Sequence, residues 1–134
     1  MCPGCGAVLV PAAGTVLSHP GASASCARLF EVTLRGVRED AVAHAGAAAV
    51  VRLADAAYDA QHVVPGDAAR LKSALDMLGA TAGPGTDADR PPRAWRTTVA
   101  DVAADLDVID LAVLVESWAR AVGQDWAAGL VVRG

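Results

Sequence analysis

The chain has 134 residues, 54% of them hydrophobic, and a formal net charge of -4. That length suits one domain with a small core, which a metal staple would help. The arginines are interleaved with acids rather than gathered into a stripe, which argues against nucleic acid, and no apolar run approaches the roughly 18 to 20 residues of a membrane-spanning helix. Cys2 follows Met1 directly, with no basic region ahead of an apolar stretch, so a cytoplasmic location is expected. The cysteine count is three. An odd number in a short chain argues against a secreted disulfide framework and for a metal site or a redox pair.

In chain order, residues 1–24 hold the turn Cys2-Pro3-Gly4-Cys5-Gly6, an apolar stretch over 7–10, and loop formers at Pro11, Gly14, Ser18, Pro20 and Gly21. Ser23 and Ser25 are candidate N-caps for a first helix over 26–37. Leu29, Phe30, Thr33, Leu34 and Val37 give it an apolar face, and Gly36 should weaken its end. Asp40 is expected to cap a second, alanine-rich helix over 41–62. One face of that helix carries His44, Ala48, Val51, Asp55, Tyr58 and His62; a second, apolar face carries Val42, Ala49, Val50, Leu53 and Ala57.

Asp67 should cap a third helix from 68 to 78 or 80, with Leu71, Ala74, Leu75 and Leu78 facing the core and Gly79 as its stop. Met77 is also assigned to the core. Residues 81–96 read as an internal loop, because paired prolines cannot continue a helix. The basic cluster Arg90, Arg93 and Arg96 falls there and reads as solvated loop. Thr98 and Asp101 have capping-box spacing and should start a short helix to about 104. Asp107 or Asp110 then caps a final helix to about 128, ended by Gly129. Leu111, Leu114, Val115, Trp118, Val122 and Trp126 make its stripe. The expected fold is mainly α: a single helical-bundle domain, residues 1–134, of about four to five helices with an N-terminal zinc-knuckle segment. Its parts are the knuckle (1–24), helices one to three (25–80), the loop (81–96) and the C-terminal helices (97–134).

The chemistry centres on the N-terminal turn. Zinc prefers thiolate and imidazole ligands in a tetrahedron, and two cysteines three apart reach one ion if the backbone turns tightly. Pro3 fixes one angle of that turn, and Gly6 lets the chain fold back so that amides can face the sulfurs. A thioredoxin-like redox pair would sit beside a βαβ pattern, which is absent. Cys26 is the natural third ligand, at a helix N-terminus that favours thiolate. The fourth falls to His62, at the end of helix two, or to its rival His19, in a loop close to Cys26. His44 lies about 27 Å from His62 along one helix and cannot share its ion. Asp55 or Gln61 could orient the second ring nitrogen of His62, and Tyr58 accompanies them. Trp95, Trp118 and Trp126 read as core rather than as a stacking platform.

Taken in order, Cys2-Pro3-Gly4-Cys5-Gly6, Ser25-Cys26, Ala57-Tyr58-Asp59-Ala60-Gln61-His62, Thr98-Val99-Ala100-Asp101 and Glu116-Ser117-Trp118-Ala119 resemble a family of short bacterial proteins known as a domain of unknown function. The resemblance covers most of the chain. It implies Cys2, Cys5, Cys26 and His62 as the shared set, and so favours His62 over His19. The chain departs from the family pattern at Ala27, where a tryptophan is expected, at Ala56, where an acid is expected, and at Val51, where a histidine aligns.

These readings point to one zinc ion per chain, mainly structural, in a protein that acts by binding a protein or small molecule. A metal-dependent enzyme is the first alternative; it needs an open metal position with His44, Asp55 or Glu116 near the ion. A zinc/thiol switch closing a Cys2–Cys5 disulfide is the second. The stripe on the last helix could equally form a homodimer surface or a core seam.

Overall fold

The computed structural model describes residues 2–7, 19, 21–64, 66–79 and 95–133. Among them the chain forms five helices and no strand: α1 (Ala24–Asp40), α2 (Ala45–Gln61), α3 (Ala68–Met77), α4 (Val99–Asp105) and α5 (Leu111–Arg133). The protein is a mainly α, single-domain fold. Residues 8–18 and the loop segment 80–94, with Arg90 and Arg93, lie outside the described residues.

Local signals start most of these helices. The Ser23 hydroxyl accepts from the Cys26 amide at 3.1 Å, and the Asp67 carboxylate accepts from the Arg70 amide at 3.1 Å. Thr98 and Asp101 form the reciprocal capping box, with the Thr98 amide donating to Asp101 at 2.9 Å. Such caps each contribute about 1 kcal/mol.

The first two helices meet later than the sequence predicts. Gly36 does not weaken the end of α1, which continues to Asp40; Ala41–Ala43 form the turn, and His44 rather than Asp40 precedes α2. An exposed glycine costs a helix only about 1 kcal/mol. The extra turn carries Arg38, whose guanidinium lies over the Phe30 ring at 5.3 Å and grips both carboxylate oxygens of Asp55 on α2. Similarly, α5 runs past Gly129 to Arg133, since no proline follows to enforce a stop.

Helix α2 is the axis of the bundle and packs against α1, α3 and α5, while α4 packs against α1 and α5. Its burial is confined to one end. Ala54, Ala56, Ala57, Tyr58, Ala60 and Gln61 are buried, whereas residues 45–53 are not. The alanines there let three helices approach closely. Leu34, Leu75, Val99, Val102, Val115 and Val122 fill the space around them. Two expectations fail here: Val42 is 91% exposed in the α1–α2 turn, and Met77 is 49% exposed.

The stripe on α5 is core. Trp118 and Trp126 are buried, and truncating such a side chain costs about 3–5 kcal/mol. Both indoles also donate to the end of α2: Trp118 to the Gln61 side chain and Trp126 to the Ala60 carbonyl, each at 3.0 Å. A helix leaves its last four carbonyls without intrahelical partners, so Trp126 satisfies one that burial would otherwise orphan.

Candidate metal centre

Three separate segments deliver side chains to the buried end of α2. The first is the N-terminal turn. The Gly6 amide donates to the Cys2 carbonyl and the Cys2 amide to the Ala7 carbonyl, both at 2.9 Å, and Gly6 adopts φ of 79°. That left-handed value favours glycine and folds the chain back behind Cys5. The second is the start of α1, where the Ser23 cap holds the Cys26 amide in the first turn. The third is His62, the C-cap of α2.

The four side chains meet in one place. The sulfurs of Cys2, Cys5 and Cys26 and a ring nitrogen of His62 all lie within 4.8 Å of one another, and all four residues are buried. Cys5 Sγ stands 3.8 Å from Cys26 Sγ, and Cys26 Sγ 3.4 Å from His62 Nε2. A tetrahedral zinc with sulfur at about 2.3 Å and nitrogen at about 2.0 Å sets edges of about 3.8 Å for S···S and about 3.5 Å for S···N. The Cys5–Cys26 and Cys26–His62 separations match two edges of that tetrahedron. A disulfide would need the sulfurs at about 2.05 Å, and all three cysteines are free.

Main-chain groups decide which nitrogen of His62 faces the sulfurs. Its Nδ1 lies 2.7 Å from the Tyr58 carbonyl. A carbonyl can only accept, so Nδ1 carries the proton and Nε2 is left for a metal. Tyr58 contributes twice. Its hydroxyl donates to Cys26 Sγ at 3.4 Å, and its ring lies 4.0 Å from the His62 ring and stacks on Phe30 at 4.0 Å.

Glycine makes room for this packing. A Cβ on Gly4 would fall 2.5 Å from His62 Cδ2 and 2.9 Å from the Gln61 carbonyl oxygen. A Cβ on Gly21 would likewise fall 2.5 Å from the His62 carbonyl oxygen. The position between the two cysteines is therefore closed to any side chain.

The electrostatics fit a cluster that holds thiolate. Burial alone would raise the Cys2 thiol, but the amides of Cys5, Ser23 and Gly4 outweigh it and lower its pKa. The hydrogen bond from Cys26, with help from His62 and the Ala7 amide, overcomes burial and brings Cys5 down to about 4. The same bond keeps the proton on Cys26, whose pKa rises, with burial adding to the effect. Burial lowers His62, but Cys5 and the Tyr58 carbonyl more than compensate and leave it above its ordinary value. Burial, then the bond to Cys26, push the Tyr58 phenol up, so it stays a neutral donor.

The remaining candidates stand apart. His19 packs edge-on against Tyr58 and His62, but both its nitrogens are used: Nδ1 accepts from the Gly21 amide at 3.0 Å and Nε2 bonds Asp59 at 2.9 Å. Arg70 shares that Asp59 carboxylate. Asp55 does not reach His62; Arg38 holds it. Gln61 does not orient His62 either, since its amide bridges the Thr97 carbonyl and the Trp118 indole. His44 is exposed at the far end of α2, and Glu116 pairs with Arg120 on the surface of α5. Sequence reasoning places Tyr58 beside His62 but misses the bond of its hydroxyl to sulfur and the role of its carbonyl, and it misses Trp95 at the site, whose indole donates to the Gly4 carbonyl at 3.0 Å.

The model of DUF5946, a family of unknown function, matches residues 1–89 and 79–127. The chain belongs to DUF5946. The first match contains Cys2, Cys5, Cys26 and His62; the second contains Trp95, Trp118 and Trp126, so the DUF5946 match takes in both the cluster and the indoles packed around it. No curated protein and no solved structure matches the chain.

Proposed function

We propose that this DUF5946 member is a zinc protein whose ion is structural, one per chain, held by Cys2, Cys5, Cys26 and His62. The observation that carries the reading is the convergence of four buried ligand atoms within 4.8 Å, two of their separations matching tetrahedral zinc, with the free nitrogen of His62 already selected. Three sulfurs and one nitrogen fill a tetrahedron, which leaves no position for water. The ion would staple the N-terminal turn across the start of α1 and the end of α2. Its binding free energy is then folding free energy.

A closed staple supports a binding role, toward a protein or small molecule, better than catalysis. The side chains an open zinc enzyme would recruit, His44, Asp55 and Glu116, are committed elsewhere or exposed. Among the described residues no helix is long and apolar enough to cross a membrane. Three buried free thiols fit a reducing compartment such as the cytoplasm.

Elemental analysis of purified protein should return one zinc per chain. Cobalt substituted for zinc should show the intense visible bands of a tetrahedral thiolate site. Protein that is metal-free yet has the same helicity and thermal midpoint as the metal-loaded form would overturn the proposal.

A further inference from the structure

The opposite end of the bundle from the metal cluster has a surface unlike the rest of the described molecule. The α1–α2 turn and the α4–α5 turn frame it. Seven large apolar side chains are exposed among the described residues; four of them, Val42, Leu106, Val108 and Ile109, lie on these two turns, and a fifth, Val113, lies in the first turn of α5. Scattered exposed apolar residues need no explanation, but their concentration at one place does. Between the turns lies an open groove of about 510 Å³. Val37, Val50 and Leu111 give it an apolar lining, Ala47 keeps it open, and Asp40 and Asp110 stand on its rim.

Apart from Arg38, which is held by Asp55, the charge at this end has one sign. Residues 39–51 and 97–119 contain no lysine or arginine. They contain Glu39, Asp40, Asp105, Asp107 and Asp110 beside the groove or in the adjoining turns, and all five are exposed. Asp110 accepts from the Ala112 amide. The other four have no ion-pair partner among the described residues. Helices α2 and α5 begin here and α1 and α4 end here, so their dipoles nearly cancel and do not offset the five negative charges.

The geometry points to this groove as a docking site for a cationic amphipathic segment of a partner protein, with apolar side chains seated between α1, α2 and α5 and lysines or arginines against the acidic rim. A second copy of the chain is a poor occupant, because a symmetric contact would set these same acids against each other. An acidic or purely apolar segment would leave the rim unpaired. The proposal is independent of the zinc reading, since none of its residues touches the metal cluster.

The test uses the purified full chain and a short synthetic leucine–lysine helix as probe, with a leucine–glutamate helix and a serine–lysine peptide beside it. Calorimetry should show the leucine–lysine helix binding, more weakly as salt is raised, and neither of the others matching it. The exposed double variants Asp40→Asn with Asp107→Asn, and Val42→Ser with Val108→Ser, should keep full helicity and each weaken binding by about tenfold or more. Asp76→Asn, on α3, should bind as the parent does. The proposal fails if the leucine–lysine helix does not bind, if either control peptide binds equally well, or if the double variants bind like the parent. It also fails if sedimentation shows a dimer that Val108→Ser dissolves, for then the occupant is a second copy.

Discussion

The indole of Trp95 donates to the carbonyl of Gly4 at 3.0 Å, across a separation of 91 residues. Trp95 also packs against Trp126, ring centroids 6.3 Å apart, and Trp126 in turn bonds the Ala60 carbonyl. A chain of two indoles thus ties the N-terminal turn to the end of α2 by a route separate from the cysteines. Trp95→Phe keeps most of the ring contact and removes only the hydrogen bond, so stability in urea should fall by about 1 kcal/mol. Zinc should also pass to a chelator faster than from the parent. An unchanged transfer rate would mean that Trp95 does not restrain the turn.

Ligand removal and support removal should separate cleanly. Cys26→Ser and His62→Ala each remove one of the four proposed ligands, and zinc content should drop well below one per chain with marked unfolding. Tyr58→Phe leaves all four ligands and deletes only the hydroxyl that donates to Cys26. It should retain zinc, with affinity reduced by about 10- to 100-fold, the usual range for a group that supports a ligand. Competition against a chromophoric chelator measures both, and equal losses in Tyr58→Phe and Cys26→Ser would place Tyr58 among the ligands.

The pKa directions set the sign of the pH dependence. Zinc must displace any proton that a ligand still holds. Cys5, brought down to about 4, holds none at neutral pH, whereas Cys26 and His62 are both shifted upward. Apparent zinc affinity should therefore rise with pH by about tenfold per unit for each proton displaced. Calorimetry in two buffers of different ionisation enthalpy counts those protons directly. A flat affinity between pH 6 and pH 8 would contradict the assignment.

Two glycine substitutions should move stability in opposite directions. Gly36 lies exposed in α1 with open space where a Cβ would go, so Gly36→Ala should stabilise by about 0.5–1 kcal/mol. Gly4→Ala drives a methyl into His62 and two main-chain oxygens, and should cost about 1–3 kcal/mol and disturb zinc binding. Chemical denaturation with zinc analysis of both variants provides the check.

Periodicity and caps make most of the fold legible in the sequence. Ser23, Asp67 and the Thr98–Asp101 box mark their helices correctly because a cap is a local contact. The α1–α2 boundary was not legible, because Arg38 extends α1 through partners 8 residues back on α1 and 17 residues ahead on α2. The spacing of Cys2, Cys5 and Cys26 pointed to one cluster. Spacing alone could not rank His62 over His19, since what occupies His19 is Asp59, itself placed by Arg70 of α3. Asp55 misled for the same reason: it sits one and two turns from Tyr58 and His62, but a different helix claims it. Main-chain acceptors such as the Tyr58 carbonyl carry no sequence signature.

The last turn of α2 imposes a limit on how this chain can diverge. Ala60 receives Trp126, Gln61 receives Trp118, and His62 reaches the sulfurs, three consecutive residues with three different appointments. Inserting or deleting one residue between Tyr58 and the start of α2 would turn this end by about 100° relative to the rest of the helix and shift it by about 1.5 Å. Substitutions at the exposed positions Ala45, Ala49 and Arg52 in the first half of α2 are tolerable, but changes of length are not. Homologous chains should therefore vary freely at those exposed positions while keeping the number of residues in that half, and should place their insertions in the connections between helices.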